Sequence, residues 1–136
     1  MIDGGLVNLI NSNSAVAAVL GTNTGGFPYD ELPKNLSLLS LPSWAYEFYG
    51  GVAQRGLTTV GGLRWRRFKV HSIGLQDQTA ALDAAITTAL IGYAGTLSDG
   101  TIVDSIWDLA APAEDHFDSV TRTFRRVSEF QVWFYQ

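Results

Sequence analysis

The stretch FRRVSEFQVWFY, from Phe124 to Tyr135, constrains the fold more than any other part of the chain. Side chains of a strand point alternately to its two faces. Phe124, Phe130, Val132 and Phe134 then share one face, with Ser128 between them, and Val127, Trp133 and Tyr135 share the other. This pattern predicts a strand with a buried inner face and a partly apolar outer face. Each large apolar group on the inner face contributes roughly 1.5–3 kcal/mol on burial. A strand buries such a face only beneath a second layer.

That layer is legible upstream. In QDQTAALDAAITTALIGYAG, Leu82, Ile86 and Leu90 recur every four residues, joined by Ala85, Ala89 and Tyr93. This is the apolar stripe of an amphipathic helix, ended by Gly92 or Gly95. Leu6, Leu9 and Ile10 predict an earlier helix that breaks near Asn11–Asn13, and Ser14 is the expected N-cap of a short second helix closed by Gly21. Val16, Val19 and Leu20 are its expected core residues. From Gly21 to Pro42 the Gly, Asn and Pro content predicts a long irregular connection with room for one short strand.

Two further strands are expected at WAYEFYGGV, residues 44–52, and GLRWRRFKVHSIG, residues 62–74. In the second, Phe68 and Val70 fall on one face and Arg67, Lys69 and His71 on the other. Five glycines lie in GGVAQRGLTTVGG between them, so the pair reads as a hairpin with a Gly-rich, mobile loop at 50–62. TIVDSIWDLA, residues 101–110, predicts a strand with Ile102 and Ile106 opposite Val103, Trp107 and Leu109. Pro112 to Ser119 reads as an acidic loop. The expected order is α-(α)-β-β-α-β-β: an α+β fold with a mostly antiparallel sheet of about four strands and helices packed on one side.

A chain of 136 residues fits one domain, residues 1–136. Charged residues are 16 % of it, against a typical ~25 %. With so many aromatics, part of this surface is expected to be covered in an oligomer. The net charge of −4 gives no general attraction to nucleic acid or anionic membrane. There is no cysteine, hence no thiolate chemistry. The first residues lack the basic start of a signal peptide, and no apolar run approaches ~20 residues. A soluble protein made in the cytoplasm is expected.

Catalytic patterns are sparse. EDHFD offers Glu114, Asp115, His116 and Asp118, too loosely spaced for the N/S-rich set that zinc takes, and reads as a solvated loop. No G-x-S-x-G occurs, and His71 lies among strand cations that discourage a general base. The Gly-rich stretch leads into a strand and lacks G-K-[ST], so no phosphate loop is expected. The reading is of a non-enzyme with no metal and no cofactor. Charge is instead segregated. Of the nine Lys and Arg residues, Arg64, Arg66, Arg67, Lys69, Arg122, Arg125 and Arg126 fall in two strands, with Trp65 and Phe68 interleaved. Acids cluster at Asp104, Asp108, Glu114, Asp115 and Asp118. The two sets can pair between subunits or within one, as Arg122 with Asp118. Head-to-tail pairing closes a ring if the rotation allows. The alternative use of the Arg-rich strand face is a nucleic-acid-binding module.

The order of features resembles the tail-completion, or tail-terminator, proteins of long-tailed bacteriophages, which join tail to head. LVNLINSNSAVAAVLG looks like the family's opening helix. GGLRWRRFKVHSIGLQDQTAALDAAITTAL is similar to its basic-flanked strand running into an Ala-rich helix. GTIVDSIWDL resembles its next strand, and DSVTRTFRRVSEFQVWFY its Arg-containing closing strand with an aromatic tail. FPYDELPKNLSLLSLPSW is longer and richer in Leu than the family's middle. The resemblance implies a structural virion protein at the head-proximal end of the tail. Copies form a homohexameric ring that caps the tail tube and meets the head connector, and DNA passes without being read. A head-completion or minor tail protein is the neighbouring alternative. No membrane or small-molecule substrate is implied. The interface candidates are the seven cations, Asp104, Asp108, Asp115, Asp118, Trp133 and Tyr135. Gly50, Gly51, Arg55, Gly56, Gly61 and Gly62 mark the docking loop.

Overall fold

A computed structural model describes residues 2–23, 25–29, 41–49, 62–109, 114–119 and 122–135; for Glu114, Asp115 and Asp118 it describes the backbone alone. Helices α1 (Ile2–Ser12) and α2 (Ser14–Leu20) open the chain. Strands β1 (Phe27–Pro28), β2 (Ser43–Tyr49) and β3 (Leu63–Gly74) follow, then helix α3 (Gln76–Leu90). Strands β4 (Gly95–Thr96), β5 (Ile102–Asp108), β6 (Glu114–Asp118) and β7 (Thr123–Tyr135) complete it. The fold is α+β, but the sheet has seven strands rather than about four. Its order is β1-β2-β3-β7-β5-β4, with β6 also on β7. It is mixed, because β1 runs parallel to β2.

The closing strand is the spine. β3 pairs with it along its whole length, from Leu63 opposite Tyr135 to Gly74 opposite Phe124. On its other side β5 covers the C-terminal half and β6 the N-terminal half. The segment expected as an acidic loop therefore contains a strand, with Glu114 opposite Val127 and Asp118 opposite Thr123. Its polar side chains hid it: at the margin of a sheet, backbone pairing needs no apolar face. β2 pairs antiparallel with β3, as a hairpin requires.

The helices lie over the inner face. Leu82, Ile86 and Leu90 of α3 are buried against Phe68, Val70, Phe130, Val132 and Phe134, and Leu6, Ile10, Val16 and Leu20 extend the same core. Burying one such side chain is worth roughly 1.5–3 kcal/mol. Side chains cap the starts of α2 and α3, the first of them not the residue expected. Asn13, not Ser14, caps α2: its Oδ1 accepts from the Ala15 and Val16 N–H groups at 3.0 and 3.2 Å. A side-chain amide reaches N2 and N3 as a serine hydroxyl would, and the break itself supplies the extended backbone. At the start of α3, Gln78 reaches back to accept the Leu75 N–H at 3.0 Å, doing the work of a missing capping side chain.

Trp44 ties the irregular connection to the helices. Its indole is fully buried and its Nε1 donates to Asn11 Oδ1 at 3.0 Å, while Asn11 Nδ2 donates to Gly25 O at 3.1 Å. A Cβ on Gly25 would overlap the indole, and Gly26 holds φ +89°, so this approach requires both glycines.

β5 departs from strict alternation. A bulge between Val103 and Ser105 takes up one residue, so Val103 and Ile106 are both buried while Ile102 and Trp107 are both exposed. The expected grouping of Ile102 with Ile106 is corrected by that single residue. Phe124, expected in the core, is half-buried and packs on the ring of Phe117, 4.8 Å between centroids. Its register partners are Gly74 on β3, which has no side chain to cover it, and Phe117 on β6.

Candidate functional site

The outer face of the sheet carries the chemistry, and it divides in two. In its lower half, β2 holds Ser43 and Ala45 and β3 holds His71 and Ile73, all buried although they face away from the helices. A polar cluster is built there. Tyr29, just past β1, stacks on the His71 ring with centroids 4.2 Å apart, and its hydroxyl accepts from Arg125 Nη1 at 2.7 Å. His71 Nε2 lies 2.6 Å from Glu47 Oε1. Burial pushes the His71 pKa down; Glu47 opposes this, and the Arg125 and Lys69 charges reinforce it. Burial prevails, so near neutral pH the ring is uncharged and Nε2–H donates to the carboxylate. Nδ1 of His71 and Nε of Arg125 are buried with no hydrogen-bond partner.

The upper half is open. Trp65 pairs across the strands with Trp133, with ring centroids 6.4 Å apart, and Leu63 lies opposite Tyr135. On β5, Ile102 and Trp107 are 50 % and 61 % exposed. Trp107 Nε1 donates to Ser105 Oγ at 3.0 Å, which ties the indole to its own strand. Lys69 Nζ approaches Glu129 Oε1 at 3.7 Å and sits 5.7 Å from the Tyr49 ring centroid, marking the border between the halves. Burial, then the hydrogen bond and charge of Glu129, push the Tyr49 hydroxyl up to about 12.

The structure does not collect the strand cations on one surface. By pairing, Arg64 and Arg66 share the helix-side face with Phe134 and Val132, and Arg126 lies there opposite Ser72. Arg67, Lys69 and Arg125 are on the outer face. Arg66 packs over the Phe48 ring at 4.7 Å. Arg122 is exposed at the start of β7 with φ 54°. Among the acids, Asp104 is exposed at the bulge and Asp108 at the end of β5; the Asp115 and Asp118 side chains lie outside the described residues. Of the loop candidates only Gly62 is described, at φ 62°; Gly50, Gly51, Arg55, Gly56 and Gly61 lie outside the described residues. Trp133 and Tyr135 are half-buried on the outer face. Trp65, Ile102 and Trp107 join them there, a grouping that required the strand register as well as the alternation. His116 is exposed, and among the described residues no three His, Cys, Asp or Glu side chains gather as a metal site. A recess of about 470 Å³ at the β2 edge is lined by Asp3, Tyr29, Tyr46, Glu47 and Arg66 among others, and the Glu47 carboxylate in it is engaged by His71.

Among solved structures, the chain is similar to one described as "Virion of native gene transfer agent (GTA) particle". Identity is 15 %, the TM-score is 0.68, and the match covers 99 % of this chain and 95 % of that one. A likeness at this identity is one of fold. No protein-family model matches the sequence, and no curated protein matches it.

Proposed function

We propose that this chain is a non-enzymatic assembly protein of a phage-like virion. Copies form a ring, of six subunits in the resembled family, that caps the tail tube at its head-proximal end and joins it to the head connector. The observation that carries this reading is the end-to-end fold likeness to a chain of a gene transfer agent virion. Its agreement with the tail-terminator pattern of the sequence supports the finer role. The subunit contacts use Arg64, Arg66, Arg122 and Arg126, the strand cations other than the three on the outer face, against Asp104, Asp108, Asp115 and Asp118, with residues 50–62 as the docking loop. Rim ion pairs contribute only ~0–1 kcal/mol each, so apolar area supplies most of the affinity. DNA passes through the bore without sequence recognition. The nucleic-acid-binding alternative is disfavoured by the division of the cations between two sheet faces.

Electron microscopy of the purified protein, alone and mixed with tail tubes, tests the proposal. Rings in end-on view and tubes closed at one end are expected. Particles that leave tube ends free and bind the capsid portal would instead mark a head-completion protein, and steep salt-dependent binding to single-stranded DNA would revive the nucleic-acid alternative.

A further inference from the structure

We infer that two copies of this chain pair face to face through the open upper half of the outer sheet face, about a two-fold axis running along β7. The inference goes beyond the virion-assembly reading and does not need it.

The register lays level rows across β3, β7 and β5. Leu63 and Ile102 both lie level with Tyr135, Trp65 lies level with Trp133, and Arg67 and Trp107 both lie level with Gln131. An isologous contact matches each residue with its counterpart across the axis. Rotation about an axis along β7 exchanges β3 with β5 and keeps each row at its own height. Leu63 of one copy then meets Ile102 of the other, and the two Trp133 rings meet at the axis. Arg67, which is exposed, lands on Trp107, 61 % exposed. A guanidinium over an indole is the favourable cation–π partnership. Rotation about an in-plane axis across the strands instead lays Arg67 over Leu63 and Trp107 over Ile102, which leaves the cation on an aliphatic chain. The face is thus self-complementary in one orientation and not in the other.

Other occupants fit less well. Arg67 is the one cation in this half of the face among the described residues, too few to follow a phosphate backbone. In the row below, Lys69 is engaged by Glu129 within the subunit, and Glu47 on its other side is engaged by His71. Face-to-face sheets pack about 10 Å apart with interdigitated side chains, which suits rings already seated on their own strands.

The test uses the full chain and two single variants, Arg67→Glu and Trp107→Arg, in sedimentation velocity over a range of concentrations. Both side chains are exposed, and thermal melting verifies that each variant folds. The wild type is expected to pass from monomer to a larger species as concentration rises, and each variant to weaken that step by roughly tenfold or more, the scale of losing an interface Arg or Trp. An equimolar mixture of the two variants is expected to recover association. In a mixed pair, one of the two symmetric contacts sets the introduced carboxylate against the introduced guanidinium, and the other keeps the native Arg67 on Trp107. A wild type that stays monomeric at every concentration overturns the inference. So does an assembly that neither variant weakens, which leaves the ring proposal standing on another surface. A mixture that fails to recover also overturns it.

Discussion

The two halves of the outer sheet face share the strands β3 and β7, and they share the same alternation, yet they meet opposite surroundings. In the lower half a histidine, an isoleucine and an alanine lie buried on the side away from the helices. In the upper half an isoleucine and a tryptophan in equivalent outward positions stand open. Alternation decides which face a side chain takes, and what crosses that face decides whether it is buried. The lower half is crossed by Tyr29, held by its stack on His71 and its bond from Arg125. The upper half has no such strap among the described residues. A polar cluster is therefore built where the face is covered, and aromatics accumulate where it is not.

Substitutions in each half test this contrast. The largest effect is expected from Ile73→Ala, which empties a fully buried site in the lower half and should cost about 2–5 kcal/mol in urea unfolding. A cost near zero would mean that this half is not closed. Tyr29→Phe comes next. It removes the acceptor of the Arg125 bond and leaves a part-buried guanidinium short of partners, with an expected loss of about 1.5–3 kcal/mol by the same measurement.

The third effect is in pH. The folded-state pKa of His71 is held below its unfolded value of 6.5, chiefly by burial. The unfolded chain then binds more protons below that value, so this contribution to stability is complete above pH 6.5 and is lost as pH falls through the folded pKa. Glu47, Arg125, Lys69 and Tyr29 are the groups facing it. Unfolding midpoints should fall from about pH 7 to about pH 5, and His71→Gln should flatten that part of the profile. An unchanged slope would place the titration elsewhere. The smallest effect belongs to the upper half: Ile102→Ala should change stability by no more than about 0.5 kcal/mol. If it matched Ile73→Ala, the two halves would not differ.

The sequence disclosed the parts of this fold that follow a period. Leu82, Ile86 and Leu90 announce α3, and Phe130, Val132 and Phe134 announce the buried face of β7, because packing imposes a repeat on residue type. It disclosed less where one residue changes the phase, as at the bulge before Ser105, or where backbone pairing proceeds without an apolar face, as in β6. The parallel contact of β1 with β2 joins only two residues of each strand, too few for any pattern. The candidate surface was half legible. Trp133 and Tyr135 could be assigned to the outer face from alternation alone. Their partners Trp65, Ile102 and Trp107 come from strands whose alignment only the structure supplies. The cations misled in the opposite sense: close in the chain, Arg66 and Arg67 point to opposite faces.

The placement of Trp44 has a practical consequence for spectroscopy. The chain has four tryptophans, and Trp44 alone is fully buried, among the helices and the sheet; Trp65, Trp107 and Trp133 all lie on the outward side. Native fluorescence is thus a sum of one shielded emitter and three that dissolved iodide can approach, Trp107 first. Collapse of the interior and the meeting of two molecules would register as separate quenching signals, with no dye attached.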